Sequence, residues 1–203
     1  MFWIDAIFYI SREVSMTEMR FECKGYKPLL MNRMTEDQKN AFLGPGSKGT
    51  SEKKPEDAIY RDPNGAACIP KVQLWSCFVD AAAHLPANSG GIHKLLKAGR
   101  GLEIVEEFLT FPADTTWSVE HLHYSTLHGG MRVRLDLPRF DNWSFTATVR
   151  FDEHLTKEDV YMLFSRGGQF VGLGFLRAGS KQIDKPGVYG LFEVEHFETM
   201  RNV

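Results

Sequence analysis

Apolar and polar residues alternate most regularly over residues 143–151, WSFTATVRF. Successive side chains of a strand point to opposite faces, so Trp143, Phe145, Ala147, Val149 and Phe151 would share one side. This pattern predicts a strand with one buried face. Further β-type patterns predict a strand that begins at residue 19 and stops near Pro28, and strands over residues 102–111, 118–127, 131–137 and 189–198.

Two segments have helical spacing instead. Residues 71–85, KVQLWSCFVDAAAHL, predict a helix that ends before Pro86. Its predicted apolar face consists of Val72, Trp75, Phe78, Val79 and Ala82. Residues 155–168 predict a second helix, with Thr156 as the N-cap, acids in the first turn and Gly167 at the end.

The order of these elements predicts the fold class. The chain begins with strand, long insertion and helix, and it closes with strand, helix, glycine-rich connection and strand. Two such halves predict an α+β, ferredoxin-like (RRM-like) antiparallel sheet with two packed helices and an inserted β-rich region. We expect one domain over residues 16–203, with insertions at about 32–65 and 86–130. Residues 1–15, apolar but without a basic start, are expected to be an extension or arm rather than a signal peptide.

The composition narrows the classes of function. With 203 residues the chain can bury a real core, and its net charge of −2 gives no overall basic excess for nucleic acid. Charge is segregated locally, however. Residues 166–187 carry four Lys or Arg against one acid, whereas residues 103–123 carry five acids and no Lys or Arg. Those acids would suit a basic patch on a neighbouring copy. Three cysteines without CxxC spacing fit a reducing, cytoplasmic compartment, and no apolar run is long enough for a bilayer.

The glycine-rich connection is the strongest feature of the sequence. It contains VGLGFLRAG, with Gly172, Gly174 and Gly179. A dinucleotide fingerprint needs a strand before the glycines and a helix after them, and here the order is reversed, so that class of site is excluded. Glycine lets a backbone approach a phosphodiester closely, although the segment would also suit a mere loop between elements. The basic residues interleaved with the glycines are Arg177, Lys181 and Lys185.

These motifs resemble a known family. A helix, VGLG, a basic loop and GVYGLFEV near the C-terminus resemble the glycine-rich signature of the RAMP superfamily, the RRM-like proteins of CRISPR effector complexes. CKGYKPLLMNRM and LPRFDNWSFTATVRFDEHLTKEDVYMLF also resemble short phage and prophage proteins. The resemblance covers both ends and the third quarter of the chain. It implies an RRM-like fold, RNA binding, and assembly as a head-to-tail homo-oligomer or as a subunit of a nucleoprotein complex.

The closing strand departs from the aromatic motif of RRM domains. VYGLFEV keeps the tyrosine and the glycine but loses most base-stacking positions. Phe192, Val194 and Phe197 are therefore predicted to pack in the core. If nucleic acid binds, contacts from loops and backbone should dominate over stacking on the sheet.

A second basic segment, MRVRLDLPRFDNW (131–143), places arginines close to aromatic residues, a combination that suits single-stranded nucleic acid; an ordinary solvent-facing strand is the alternative. In it Arg132 and Arg134 are predicted to share one strand face. The complete set of predicted nucleic-acid-binding residues is Arg132, Arg134, Arg139, Arg166, Gly172, Gly174, Arg177, Lys181 and Lys185.

The segment EHLHYSTLH (120–128) offers His121 and His123 on one strand face, but no third ligand has a suitable spacing, so no metal and no cofactor are expected. The leading prediction is a non-enzymatic protein that binds single-stranded RNA or DNA, with RNA favoured. One alternative is a RAMP-like, metal-independent RNA endonuclease with a histidine acid or base, for which the sequence singles out no catalytic residue. Another is a phage protein that acts on a host nucleoprotein complex.

Overall fold

The computed structural model describes residues 16–34, 54–86, 90–125, 132–179 and 187–202. The predicted arm at 1–15 lies outside these ranges. The strands are β1 (Thr17–Gly25), β2 (Leu29–Leu30), β3 (Cys68–Pro70), β4 (Leu102–Ile104), β5 (Phe108–Thr110), β6 (Ser118–Ser125), β7 (Arg132–Phe140), β8 (Ser144–Phe151) and β9 (Phe192–Asn202). The helices are α1 (Lys71–Ala82), α2 (Gly90–Lys97) and α3 (Lys157–Arg166), with a 3-10 turn at Pro55–Ala58 and a π-helical turn at Gly167–Val171.

The main sheet has the strand order β4-β8-β1-β9, and every neighbouring pair is antiparallel. The unit β1-α1-β4 is therefore split by β8, and the unit β8-α3-β9 is split by β1. Two interlocked split β-α-β units are the ferredoxin-like arrangement, so the predicted α+β, RRM-like fold class is confirmed. Strands β5, β6 and β7 fall between β4 and β8 in the chain; β5 and β6 lie within the insertion predicted at about residues 86–130, and β7 follows it.

One face of the main sheet carries the core. In β1 every second residue, Met19, Phe21 and Cys23, is buried, and in β8 the predicted alternation holds from Phe145 to Phe151. Helices α1 and α3 cover this face. The ring of Phe164 in α3 stacks on Phe21 at 3.9 Å between centroids. This aromatic packing joins α3 directly to β1.

Helix α1 exists where it was predicted, but it is rotated about its axis. Its buried residues are Leu74, Cys77, Phe78, Ala81 and Ala82, and Val72, predicted to be on the apolar face, is exposed. Both sets have helical spacing, so periodicity alone could not choose between them. Packing against α3 chooses, because Phe78 meets Phe164 edge to face at 4.7 Å.

Helix α3 begins and ends as predicted, and a π-helical turn follows it. The Thr156 hydroxyl accepts from the amide of Asp159 at 3.1 Å, and the Asp159 carboxylate accepts from the amide of Thr156 at 3.0 Å, which is a capping box. The α-helix ends at Arg166 with Gly167 as its C-cap, as predicted, but Gly167 keeps helical backbone angles and the chain winds on through the π-helical turn. The amide of Gly172 donates to the carbonyl of Gly167 at 2.7 Å and closes this wider turn.

The strands outside the main sheet form two smaller sheets, β2-β7-β6 and β3-β5. Residues 102–111, predicted as one strand, form β4 and β5 with a break between them. At the break the Glu106 carboxylate accepts from the amide of Thr148 at 2.8 Å, so a side chain replaces the next backbone bond of the ladder. No helix in the described ranges is long and apolar enough to cross a membrane. All three cysteines are buried free thiols.

Candidate nucleic-acid interface

The glycine-rich segment is bonded to the body of the protein along its described length. The amide of Leu173 donates to the carbonyl of Gly190 at 2.9 Å, and the amide of Gly179 donates to the carbonyl of Val171 at 2.8 Å. The amide of Phe175 donates to the carbonyl of Leu30 in β2 at 2.8 Å. Residues 171–179 therefore lie between β2 and the segment that leads into β9, rather than forming a separate hairpin.

Gly172 and Gly174 both have positive φ, at 73° and 78°. A side-chain carbon at Gly172 would lie 2.9 Å from the carbonyl oxygen of Gly190, and one at Gly174 would overlap the carbonyl oxygen of Leu30. These two glycines therefore let the protein approach its own backbone closely. Their contact with nucleic acid stays a prediction.

Arg177 joins the glycine-rich segment to α1. Its Nη2 donates to Asp80 Oδ2 at 2.7 Å, and the Arg177 side chain is 20% exposed. The backbone of Arg177 forms a parallel bridge with that of Tyr189. Residues 180–186, between the two, lie outside the described ranges. Arg177 thus anchors the segment at one end, and its guanidinium already has a carboxylate partner. Lys181 and Lys185 lie outside the described residues.

Tyr189 connects this segment to the β6–β7 hairpin. Glu120 of β6 accepts from the Tyr189 hydroxyl at 3.2 Å and from Arg139 Nη1 at 2.8 Å, and Arg139 Nε donates to Asp141 at 2.8 Å. The hydrogen bonds to Glu120 and then to Asp141 raise the pKa of Arg139 further above its usual value. Partial burial, followed by the Glu120 charge, raises the pKa of Tyr189. Two segments that were predicted separately meet at one carboxylate.

At the other end of the segment, Arg166, Phe170 and His84 form a surface cluster. The Arg166 guanidinium carbon lies 5.4 Å from the centre of the Phe170 ring, and the His84 ring lies 6.1 Å from it. The Phe170 side chain is 48% exposed. No sequence pattern selected Phe170; the available signal was a lone aromatic residue within the glycine-rich stretch GGQFVGLG.

These clusters follow one another across the surface. Asp80 lies in the last turn of α1, and His84 follows the end of that helix by two residues, so the Phe170 cluster and the Asp80–Arg177 pair both lie at the C-terminal end of α1. Arg177 pairs with Tyr189, which shares Glu120 with Arg139. We call this series the arginine track; it consists of Arg166, Phe170, Arg177, Tyr189 and Arg139.

Arg134 does not belong to the arginine track. Arg134 and Arg139 are an odd number of positions apart in β7, and the register places Asp136 opposite His121 and Arg139 opposite Ser118. The two arginines therefore project from opposite faces of the hairpin. The side chain of Arg132 lies outside the described part of the chain, so its predicted face stays a prediction.

Arg134 forms a second, more exposed cluster on its own face. Its Nε lies 3.2 Å from Asp136 Oδ1, the same oxygen that lies 2.8 Å from His121 Nδ1. The hydrogen bond from His121, followed by the one from Arg134, lowers the pKa of Asp136. In the described residues, no group of three or more His, Cys, Asp or Glu is placed to hold a metal ion.

The open face of the main sheet is charged and mixed. Lys24 of β1 pairs with Glu195 at 3.3 Å, and Arg150 of β8 pairs with Glu18 at 2.7 Å. Phe192 lies in the core, as predicted, and Phe197 is half-exposed against Tyr161 of α3 at 5.0 Å, on the helix side. In the described part of β1, β8 and β9, the open face presents no Phe, Tyr or Trp to stack on a base.

Comparison with known proteins gives a similarity of fold alone. No family model and no curated protein matches the chain. A chain in the cryo-EM structure of Type III-B Cmr-beta bound to cognate target RNA is similar in fold, with a TM-score of 0.56 and 12% identity. The match covers 91% of this chain and 61% of that one, so the present chain spans about three-fifths of its length.

Proposed function

We propose that this protein binds single-stranded RNA as a RAMP-like subunit of a ribonucleoprotein. The observation that carries the proposal is the fold shared with a chain of an RNA-bound structure, at 91% coverage of this chain. The glycine-rich segment also supports the proposal, because this segment connects α3 to β9, as the RAMP resemblance implies. The arginine track, which follows this segment, is the surface on which we place the RNA.

The open sheet face is a poor alternative surface for RNA. It lacks stacking rings, and its carboxylates, among them Glu22, Glu193 and Glu198, would repel phosphates. Along the arginine track, Tyr189 and Phe170 lie between guanidinium groups, which is the combination that single-strand binding uses.

The arginines differ in how readily they can turn to a phosphate. Arg134 is 65% exposed, so exchanging its carboxylate for a phosphate costs about 0–1 kcal/mol. Arg139 and Arg177 are 33% and 20% exposed and hold their carboxylates more firmly. Lys181 and Lys185, interleaved with the glycines in sequence, would supply the remaining charge. Binding of this kind releases counterions, so affinity should fall steeply with salt.

The test is anisotropy of a fluorescein-labelled oligouridine at several salt concentrations. Lys181→Gln/Lys185→Gln removes two positive charges from the glycine-rich segment, and Arg20→Gln/Lys24→Gln removes two from the open sheet face. Each phosphate contact contributes about 0.7 to the salt slope, so the first variant should lose about 1.4 and the second nothing. Equal losses in both variants, or no binding of the parent protein at low salt, would contradict the proposal. An oligothymidine competitor tells RNA from DNA.

Head-to-tail assembly is part of this proposal. The acids of residues 103–123 were expected to meet a basic patch on a neighbouring copy, but three of the five are bonded within the chain. Glu106 caps the amide of Thr148, Glu107 pairs with Lys71, and Glu120 holds Arg139 and Tyr189. Light scattering with RNAs of increasing length is the direct measurement. Assembly along RNA predicts a mass that grows by whole protomers with RNA length, and a constant single protomer would refute it.

A second candidate function, metal-independent RNA cleavage, is favoured by one observation. His121 lies with Nδ1 against Asp136, which leaves Nε2 available as a general base for a ribose 2′-hydroxyl, and Arg134 stands beside the pair to meet the phosphate. Structured RNA incubated with EDTA tests it. His121→Ala should abolish site-specific cleavage, whereas His154→Ala, which removes a similar His–Asp pair at 3.0 Å, should not. Equal activity in the parent and in His121→Ala would exclude this role.

A further inference from the structure

The exposure of Phe170 follows from the way the π-helical turn is packed. Gly167 and Gly168 are buried; a side-chain carbon at Gly167 would lie 2.9 Å from Cys77 Sγ, and one at Gly168 would overlap the carbonyl oxygen of Phe192. The backbone of the turn is thereby pressed onto the core, and Val171 is buried again at its end. Gln169 and Phe170, between these fixed points, face solvent.

The surroundings of Phe170 have the chemistry of a nucleotide site. Arg166 lies over the ring, and in the described part of the chain no carboxylate pairs with it. The acid of α1, Asp80, lies four residues before His84 in the chain, and its carboxylate accepts a hydrogen bond from Arg177. A half-exposed ring, beside a guanidinium that pairs with no carboxylate among the described residues, offers stacking to a base and charge to its phosphate.

We infer that Phe170 and Arg166 form a nucleotide-binding position at the start of the arginine track, in which a base stacks on Phe170 and Arg166 contacts the adjoining phosphate. This inference rests on the proposed RNA-binding function and assigns it a residue that the sequence did not select. His84, whose ring centre lies 6.1 Å from that of Phe170, borders the position. We place the next position along the RNA at Arg177, whose partner Asp80 lies four residues before His84 in the chain.

An ordinary structural role predicts different behaviour. Arg166 lies in the last turn of α3, where a cation is favourable to the helix dipole, and Phe170 could simply cover its aliphatic stem. In that case Phe170→Leu and Arg166→Gln would change stability and leave RNA affinity intact. A stacking role requires the flat π face, which leucine lacks and tryptophan keeps.

The experiment uses the full chain and the fluorescein-labelled oligouridine. Base stacking on one aromatic residue corresponds to roughly a 10-fold change in affinity, so Phe170→Leu should bind about 10-fold more weakly with an unchanged salt slope. Phe170→Trp should bind like the parent protein, and oligouridine should quench its added fluorescence. Arg166→Gln should reduce the salt slope by about 0.7. Phe108→Leu, at another exposed phenylalanine, is the matched control and should have no effect.

Ultraviolet crosslinking provides an independent readout. Trypsin cleaves after Arg166 and Arg177, so a base stacked on Phe170 should crosslink to the peptide of residues 167–177, and the crosslink should disappear in Phe170→Leu. Parent-like affinity of Phe170→Leu together with a crosslink elsewhere would overturn the inference, while RNA binding by the parent protein would leave the proposed function standing. Absence of oligouridine binding by the parent protein would overturn both.

Discussion

The bond between Asp80 and Arg177 allows the anchoring role of this arginine to be separated from a role in RNA binding. We consider Asp80→Asn, Arg177→Gln and the double variant. The pair is partly buried, with 32% and 20% of the side chains exposed, and its Nη2–Oδ2 distance is 2.7 Å. Exposed pairs contribute about 0.2–1 kcal/mol, and hydrogen bonds to charged groups about 1.5–3 kcal/mol. We therefore expect a coupling of about 1 kcal/mol between the two positions.

Each single variant should lower the free energy of unfolding by about 1–2 kcal/mol, because it leaves the other partner without its bond. For a chain of this size that corresponds to a fall in Tm of about 2–4 °C for each kcal/mol. The double variant should be less destabilised than the sum of the singles. Urea unfolding followed by circular dichroism measures all four proteins, and simple additivity would refute a direct, energetically coupled bond.

RNA affinity gives the sharper result, because the two single variants should change it in opposite directions. If Arg177 reaches a phosphate, Asp80→Asn releases the guanidinium and removes a nearby negative charge. At about 7 Å and in a near-aqueous dielectric this charge is worth about 0.5–1 kcal/mol, so oligouridine should bind roughly three times more tightly. Arg177→Gln should bind more weakly. If both variants lose affinity to the same extent, Arg177 serves only as an anchor for the glycine-rich segment.

Three further predictions concern the scaffold. Gly190→Ala should lower the free energy of unfolding by about 2–3 kcal/mol, because φ is 72° and the new carbon would overlap the carbonyl oxygen of Leu173. Gly65→Ala, with φ at 86° and open space around it, is the control and should lower it by only about 1–2 kcal/mol in the same urea titration. Equal losses in the two variants would contradict the close approach at Gly190. Thr156→Ala should cost about 1 kcal/mol through loss of the capping box, and a loss below about 0.3 kcal/mol would argue against it. Burial raises the pKa of Cys77 to about 12, so the unfolded thiol ionises first, from about pH 8.5. The contribution of Cys77 to stability should then be complete below pH 8.5 and decline toward pH 12, and Cys77→Ala should flatten this decline; a thiol reagent that modifies native Cys77 rapidly at pH 8 would refute its burial.

The sequence predicted the elements of the scaffold because their signals are local. The alternation in β8, the N-cap at Thr156 and the order of strands and helices depend on residues close together in the chain, and they sufficed for the fold class. Predictions that depended on packing fared worse. The buried face of α1 is set by contact with α3, and the continuation past Gly167 is set by Cys77 and Phe192, both remote in sequence.

The charges of the candidate interface also divide into features that local sequence predicts and features that depend on packing. Which segments are basic, and that glycines lie among them, can be read from the sequence alone. Asp136 and Asp141 lie two residues from Arg134 and Arg139, but the other partners are brought together by packing: Asp80 is 97 residues from Arg177, and Glu120 is 19 residues from Arg139 and 69 from Tyr189. Electrostatic partners are chosen by distance in space, which local sequence does not encode. For the same reason a phenylalanine between glycines became a candidate only once the packed turn placed it beside Arg166.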